Sequence, residues 1–418
     1  MTGIRPHQPT RSPLLVRDFI MIVAGQGISL FGNMMLRFAM SMWVLDETGS
    51  ATTFATILAV SIVPTIIFSP FGGILADRVN RRTIMVALDA ISAALVLASA
   101  LVFAATGFNI IAIAVMQVML AVLGAFETPT VEAALPQMYR RYGQSTMRQA
   151  MAVVGQVQQL SSLLPSFIGG VLYAMIGIAS MMTITIACFA SAAALECFIR
   201  LGAPEREDRT STPFDDLKAS IRFLVHERPA MMQLGLLAAA LNFIATGVSS
   251  VGLPYTIRTV LDFNATVYGI ADGLIGVAGV AGMFIAGMTA SRLSMRHMPI
   301  ALTAFMLTVL PQGIAFLLPI DSHARLAVLV AFTCGSMIAV CFTNLITMPA
   351  LQFGTPESMT GKVMAMFGAL CMCAQPLGQL AYGWTYDHFP VTTVLLISTA
   401  MLIACAALSR PVAKQLEQ

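Results

Sequence analysis

The chain has 418 residues, of which 57% are hydrophobic and only 10% are charged, and its formal net charge is +3. A soluble domain carries about 25% charged residues, so this composition excludes a soluble enzyme, a nucleic-acid-binding protein and a disordered scaffold. The apolar runs are continuous rather than alternating, which excludes an outer-membrane β-barrel. The sequence therefore predicts an all-α membrane protein that crosses the bilayer many times.

Twelve spans are predicted, because a span needs about 20 apolar residues and twelve such runs occur in two sets of six. The runs cover approximately residues 18–45, 52–76, 83–105, 109–128, 149–175 and 178–199, then 230–257, 265–290, 298–319, 325–349, 359–385 and 391–409. The predicted domains are an N-terminal tail (1–17), a six-helix bundle (18–199), a central loop (200–229), a second six-helix bundle (230–409) and a C-terminal tail (410–418).

The central loop is the only long charged stretch of the chain. Within it, Phe214, Leu217, Ile221 and Leu224 have helical spacing, with charged residues on the opposite face. This pattern predicts an amphipathic helix that lies on the inner membrane surface.

Lys and Arg are unequally distributed between the two sides of this topology. Segments on the side of the N-terminus hold 20 of them, whereas the opposite side holds two, Arg258 and Arg325. Because cytoplasmic loops carry an excess of Lys and Arg, both termini are predicted to be cytoplasmic, in the plasma or inner membrane. The first 17 residues contain no apolar core, so no cleavable signal peptide is predicted.

The two sets of spans resemble each other in sequence. The segment after span 2, from Gly73 to Arg82, corresponds to residues 287–296 after span 8, which lie 214 positions later. Pro165 in span 5 has a counterpart in Pro376 of span 11, 211 positions later. Repeats of this kind are typical of secondary transporters, in which two bundles move about a central site.

The segment from Gly73 to Arg82, GILADRVNRR, resembles the loop 2–3 signature of the major facilitator superfamily. The span 1 segment from Gly32 to Ser50 and the central-loop segment 213–224 are similar to its macrolide-efflux and enterobactin-exporter branch. The resemblance implies two pseudo-repeated six-helix bundles. It also implies a monomeric, proton-coupled exporter of amphipathic small molecules of the drug, macrolide or siderophore class, working by alternating access without a cofactor, metal or nucleic acid.

Two departures from the antiporter motifs of this superfamily leave proton coupling open. Drug/proton antiporters often carry Arg-x-x-Gln-Gly in span 4, but the residues around Gln117 include no arginine. Span 5 has Leu164 where the Gly-Pro-x-x-Gly-Gly motif begins. A lysophospholipid flippase or a metabolite carrier is therefore the alternative within this fold, and a channel or a transport-dead sensor is the alternative outside the transporter class.

The resemblance implies a gating role for five residues of the loop 2–3 segment. It places Asp77 beside span 11, where a carboxylate interacts favourably with a helix N-terminus. The resemblance implies that this contact holds the transporter in its outward-facing state. The arginines can pair with carboxylates of the other bundle or with lipid phosphates, or they can serve only to set the topology. The five residues are Gly73, Asp77, Arg78, Arg81 and Arg82.

Polar side chains within the spans predict a substrate cavity, because such groups are costly in a membrane. The resemblance implies that spans 1, 4, 7 and 10 line it. Hydrogen bonding between helices is the alternative role, above all for Ser and Thr. The candidate cavity residues are Gln26, Asn33, Arg37, Gln117, Asn242 and Asn344.

Three of the carboxyl groups that fall inside the predicted spans are candidate buried groups. Asp89 lies about 10 Å from the cytoplasmic end of span 3, where we expect it to snorkel towards water. Glu127 in span 4 either pairs with an arginine of the following loop or binds a proton. Asp272 in span 8 is a candidate to bind a proton or to form a charge pair, since its depth is similar to that of Arg37 in span 1. Arg37 either pairs with Asp272 across the bundles as a gate or bonds within its own bundle.

Overall fold

The computed structural model describes residues 16–139, 144–201, 222, 226, 228–289 and 293–416. All regular secondary structure in these residues is helical. In chain order the helices are α1 (Arg17–Thr48), α2 (Ala51–Arg78), α3 (Arg81–Thr106), α4 (Ile110–Tyr139), α5 (Gln144–Glu196), α6 (Pro229–Thr246), α7 (Ala265–Thr289), α8 (Met298–Ala315), α9 (Ser322–Phe353), α10 (Glu357–His388) and α11 (Val391–Leu416).

Helix α5 contains a break that gives the predicted number of spans. Its 53 residues are interrupted at Gly177, which has φ 70° and ψ 176°, a conformation that glycine adopts without steric cost. Among the described residues, eleven helical segments are long and apolar enough to cross a membrane, and one of them is the Ile168–Glu196 part of α5. The helix before the break supplies the fifth predicted span, so the all-α, twelve-helix fold is confirmed.

Helix α6 does not keep a regular α-helical register to its end. It continues into π-helical turns at Gly247–Gly252 and Thr256–Val260. A π-helical turn has more residues than an α-helical turn. Side chains beyond Thr246 therefore point in directions different from those of a continuous α-helix.

The chain forms two compact units whose limits differ from those of the predicted bundles. Unit 1 comprises residues 1–38, 67–165 and 176–208, and unit 2 comprises 39–66, 166–175 and 209–418. Unit 2 thus contains the C-terminal part of α1 and the N-terminal part of α2 together with α6 to α11. The predicted amphipathic helix of the central loop lies outside the described residues, and the predicted domain limits stay a prediction.

In unit 1, buried apolar side chains hold one end of α1, α3, α4 and α5 together. Phe19 of α1 packs edge-on against Tyr139 of α4, with ring centroids 5.5 Å apart. Met85, Leu135 and Val154 lie in the same cluster and are 5% exposed or less. This cluster fixes the helices that carry the buried carboxyl groups described below.

Candidate functional site

Three buried carboxyl groups lie together in unit 1. Asp89 belongs to α3 and Glu127 to α4, and Glu196 is the last residue of α5. The three carboxyl groups are close enough to interact through their charges. Helix α1 contributes two hydrogen bonds, since Gln26 Nε2 donates to Glu127 Oε1 at 2.6 Å and Ser29 Oγ donates to Asp89 Oδ1 at 2.7 Å. We call these five residues the carboxyl cluster.

The carboxyl cluster corrects one prediction, for Asp89, and gives Glu127 a hydrogen-bonded neighbour on α1. Asp89 is only 1% exposed, so the expectation that it snorkels to water is wrong: the Ser29 hydroxyl gives it a partner inside the protein. Glu127 is bonded to Gln26, whereas the arginines of the loop after α4 lie outside the described residues. Gln26 thus bonds to an acidic group, and its predicted place in the substrate cavity stays a prediction.

Glu196 was missed by the sequence analysis because it stands near the end of the last apolar run before the charged central loop. In the structure it is 1% exposed and lies against Gly25 of α1. A Cβ atom at Gly25 would lie 3.1 Å from Glu196 Oε1, so the absence of a side chain there leaves room for the carboxyl group. The sequence feature that could have identified Glu196 was its position inside the predicted span 178–199, where a carboxylate is costly.

Several acceptors of the carboxyl cluster have no donor among the described residues. These atoms are Gln26 Oε1, Asp89 Oδ2 and Glu196 Oε2, and all three are buried. Leaving a buried acceptor unsatisfied costs about 1–3 kcal/mol, so the arrangement is incomplete without added hydrogen-bond donors. A cluster of this kind is suited to binding protons, because a protonated carboxyl group is itself a donor.

The arginines of the loop 2–3 segment make hydrogen bonds within unit 1. Arg81 Nε donates to the carbonyl of Ala76 at 3.1 Å, and its Nη1 donates to Gln137 Oε1 at 2.6 Å. Arg82 Nη2 donates to the carbonyl of Cys197, just after α5. These bonds tie the start of α3 to α4 and to the end of α5.

The remaining residues of that segment have different surroundings. Arg78 is exposed, and no atom lies within 4 Å of where a Cβ at Gly73 would stand. The side chain of Asp77 lies outside the described part of the structure, so its predicted gating role stays a prediction.

Unit 2 contains a cavity of about 260 Å³ between α6, α8, α9 and α10. Two predicted cavity residues, Asn242 of α6 and Asn344 of α9, both line it. Asn242 Nδ2 donates to the carbonyl of Ala238 at 3.0 Å, and no hydrogen bond joins the Asn344 amide to another described residue. The other lining residues are Ala238, Leu241, Ala245, Phe305, Val340, Thr343, Thr347, Met348, Phe367, Gly368 and Cys371.

The hydroxyl groups nearer the N-terminus of α9 serve helix packing. Thr333 Oγ1 is 3.4 Å from Gln312 Oε1 of α8, and the hydroxyls of Ser336 and Thr308 are 2.7 Å apart. Hydrogen bonding between helices, the alternative in the sequence analysis, is therefore the role of Thr333 and Ser336.

The other predicted cavity and gate residues divide between the two units. Asn33 and Arg37 of α1 are half-buried in unit 1. Gln117 of α4 is 3% exposed, and its Nε2 has no partner among the described residues. Asp272 of α7 is half-buried in unit 2. The predicted pairing of Arg37 with Asp272 stays a prediction.

Polar contacts join the turn between α1 and α2 to helices of the second half of the chain, all within unit 2. Arg258, in the π-helical turn after α6, forms an ion pair with Asp46 of α1. Asp46 also accepts a hydrogen bond from the Tyr173 hydroxyl at 3.1 Å. Arg258 Nη1 donates to the carbonyl of Phe263 at 2.7 Å, which fixes its direction.

Asp387, near the end of α10, caps the N-terminus of α2. Its carboxylate accepts hydrogen bonds from the Ser50 hydroxyl at 2.7 Å, the Ala51 amide at 2.7 Å and the Thr52 amide at 2.9 Å. A carboxylate at a helix N-terminus satisfies free amides and interacts favourably with the helix dipole. No local sequence pattern indicated this contact, because the partners are 335 to 337 residues apart.

The family model of the Major Facilitator Superfamily matches residues 22–378. The chain belongs to this superfamily. Among curated relatives, it is 28% identical over 413 residues to the multidrug efflux pump Tap of Mycolicibacterium fortuitum, with 94% of each chain covered. It is 22% identical over 412 residues to macrolide efflux protein A of Streptococcus pyogenes, with 96% of each covered. The predicted resemblance to the macrolide-efflux branch is confirmed.

Solved structures of this superfamily have the same fold. The nucleoside transporter NupG superimposes with a TM-score of 0.74 at 10% identity, covering 95% of this chain and 98% of that one. A bacterial homologue of the iron transporter ferroportin, in an inward-facing state, gives a TM-score of 0.73 at 16% identity, covering 96% of this chain and 100% of that one. At such identities the likeness supports the fold alone.

Proposed function

We propose that this superfamily member exports amphipathic small molecules of the drug, macrolide or siderophore class by alternating access, in exchange for protons. The observation that carries the proposal is the similarity to an efflux pump along nearly the whole length of both chains, 94% of each. Similarity of this extent includes both halves of the transport unit rather than one shared motif.

The cavity in unit 2 supports an amphipathic substrate. Its wall is mainly apolar, with two aromatic rings and Met348, and the amides of Asn242 and Asn344 are its hydrogen-bonding groups of highest capacity. Binding sites of small molecules commonly combine apolar walls with a few polar groups that fix orientation. The flexible, polarizable side chain of methionine adapts to ligands of different shape.

Alternating access requires contacts that break and re-form during the cycle. The Asp46–Arg258 ion pair and the cap on α2 by Asp387 are polar contacts between helices of the two sequence halves, so they are suited to such a role. The predicted Arg37–Asp272 pair would act in the same way. We also propose that the loop 2–3 segment, through Asp77, stabilises one of the two states.

We propose that the protein lies in the inner membrane with both termini in the cytoplasm. We also propose that it acts as a monomer and binds no nucleic acid. The protein is a multi-pass membrane protein, since eleven helical segments of the described chain are long and apolar enough to span a bilayer. The distribution of 20 Lys and Arg against two supports the orientation.

Two alternatives have a weaker basis. A lysophospholipid flippase or a metabolite carrier would have the same fold, and the solved neighbours include a D-xylose–proton symporter with a TM-score of 0.71. A channel or a transport-dead sensor would not need the repeated six-helix architecture. Neither alternative explains the end-to-end similarity to efflux pumps.

A susceptibility panel tests the proposal. The chain is expressed in a bacterial host that lacks its main efflux pumps, and growth is measured against macrolides, dyes and other amphipathic drugs, with and without a protonophore. We expect resistance to several of these compounds, lost when the protonophore collapses the proton gradient. Unchanged susceptibility to every compound, in cells that contain the protein in their membranes, would favour the flippase or metabolite carrier.

Replacing the cavity amide of Asn344 by Ala is expected to weaken export of compounds that hydrogen-bond to it. One hydrogen bond contributes about 0.5–1.5 kcal/mol, so we expect a roughly two- to tenfold higher KM. Uptake of radiolabelled erythromycin into everted vesicles measures this change. The matched control is Gln352→Ala, which removes an exposed amide from the same helix, and an equal effect of both changes contradicts the cavity assignment.

A further inference from the structure

We infer that Asp89, Glu127 and Glu196 form a single proton-binding site, and that the number of protons it holds changes during the transport cycle. The inference rests on the proposed proton-coupled export, and it names the residues of this chain that would carry the coupling. Of these three residues, only Glu127 was a candidate proton site on the basis of sequence, and the structure adds two further carboxyl groups and two polar partners beside it.

The three carboxyl groups are buried without a positive charge beside them among the described residues. Asp89 and Glu196 are each 1% exposed and Glu127 is 9% exposed. Gln26 donates a hydrogen bond to Glu127 and Ser29 donates one to Asp89, and no described lysine or arginine pairs with these carboxyls. Three ionised carboxylates cannot share a buried site without compensation, so protons must be bound for this packing to persist.

The charged groups nearest along the chain are engaged elsewhere. Arg81 is hydrogen-bonded to Gln137, and Arg82 to the carbonyl of Cys197. Asp18 accepts from the backbone amide of Arg200 at 3.4 Å. The remaining titratable groups on the helices that form the cluster are Arg17, Arg37, Asp46, Glu47, Glu132, Tyr139, Arg148, Tyr173 and Cys188.

The carboxyl cluster has more hydrogen-bond acceptors than donors among the described residues. Gln26 Oε1, Asp89 Oδ2 and Glu196 Oε2 are buried and have no donor among the described residues. Each proton that binds converts one carboxylate into a carboxylic acid, which removes a negative charge and adds one donor. A metal ion fits less well, because no group of three His, Cys, Asp or Glu in the described chain has metal-binding geometry.

The carboxyl cluster lies between helices rather than within one helix. Its members come from α1, α3, α4 and α5, and Glu196 immediately precedes the exposed Cys197 at the end of α5. A movement of α1 would separate Gln26 and Ser29 from the carboxyls of α3 and α4. Binding and release of protons can therefore be linked to the packing of α1, which is the element that also carries the predicted cavity residues Asn33 and Arg37.

Infrared difference spectroscopy tests the site without any substrate. The full chain is reconstituted in lipid vesicles, and spectra at acidic and alkaline pH are compared for the carbonyl band of protonated carboxyl groups. We expect Asp89→Asn, Glu127→Gln and Glu196→Gln each to remove part of the band that titrates. These changes keep the size of the side chain, and Asn at position 89 can still accept from Ser29.

The matched control is Glu132→Gln, which makes the same substitution at an exposed position of the same helix as Glu127. We expect its spectrum to resemble that of the unchanged protein. The inference is overturned if the band is the same in all three cluster variants, or if the control reduces it equally. A shift of thermal unfolding to much lower temperature identifies a misfolded variant, and Asp89→Glu or Glu196→Asp, which keep the carboxyl group, should then restore the band.

Transport measurements separate this site from the proposed function. In vesicles, Glu196→Gln is expected to lose accumulation of radiolabelled erythromycin driven by a proton gradient but to retain exchange of erythromycin across the membrane without a gradient. Loss of both activities, or of neither, contradicts a role in coupling. If the unchanged protein does not transport erythromycin at all, the proposed macrolide export fails, while the infrared result still decides whether the site binds protons.

Discussion

Asp387→Ala is expected to release the N-terminus of α2 from α10 and to shift the conformational equilibrium away from the arrangement seen in unit 2. The change removes three hydrogen bonds, from Ser50, Ala51 and Thr52, together with the favourable interaction of a carboxylate with the helix dipole. Loss of a helix cap costs about 0.5–2 kcal/mol, and one to two kcal/mol is a roughly five- to thirtyfold change in an equilibrium constant.

Pulsed electron paramagnetic resonance measures this shift. Spin labels are placed at the exposed positions Glu47 and His388, in a background in which the seven native cysteines are replaced. We expect the short-distance population between the α1–α2 turn and the end of α10 to decrease in Asp387→Ala. The control is Asp321→Ala: Asp321 is also at a helix N-terminus, that of α9, but makes no side-chain cap bond. An unchanged distance distribution in Asp387→Ala means that the cap does not hold the two ends together.

Gly170→Ala is expected to destabilise the protein although it adds only one methyl group. A Cβ at Gly170 of α5 would lie 2.6 Å from the carbonyl oxygen of Ala265 and 2.8 Å from the Cα of Gly269 on α7. These are backbone atoms, which cannot move aside as a flexible side chain can, so α5 and α7 must separate. Overpacking of this kind typically costs about 1–3 kcal/mol.

Thermal unfolding of the purified protein, followed through the reaction of its native cysteines with a thiol-reactive dye, measures the effect. The control is Gly155→Ala in the same helix, where no atom lies within 4 Å of the new Cβ. There the better helix propensity of Ala, about 1 kcal/mol, should leave the unfolding temperature unchanged or raise it. Equal unfolding temperatures for the two variants would show that the α5–α7 crossing tolerates a larger separation.

The structure shows the neighbours of several residues that were predicted from the sequence. Asn242 and Asn344, two amides within apolar helices, line one cavity, and their role in binding substrate stays a prediction. Gln26, another predicted cavity residue, is bonded to Glu127, and Asp89, which was expected to reach water, is buried. The depth of a residue in a span can be estimated from the sequence, but its neighbours depend on how each helix is rotated about its axis.

Hydropathy and short motifs by themselves determined that the chain is helical, that it crosses a membrane many times and that it resembles the major facilitator superfamily, since these properties depend on local apolar runs and local sequence. The tertiary structure alone decided which distant groups meet. Asp89, Glu127 and Glu196 lie on three different helices, and Asp387 caps a helix that begins more than 330 residues earlier. Such contacts arise from helix packing, which brings together residues that no local pattern relates.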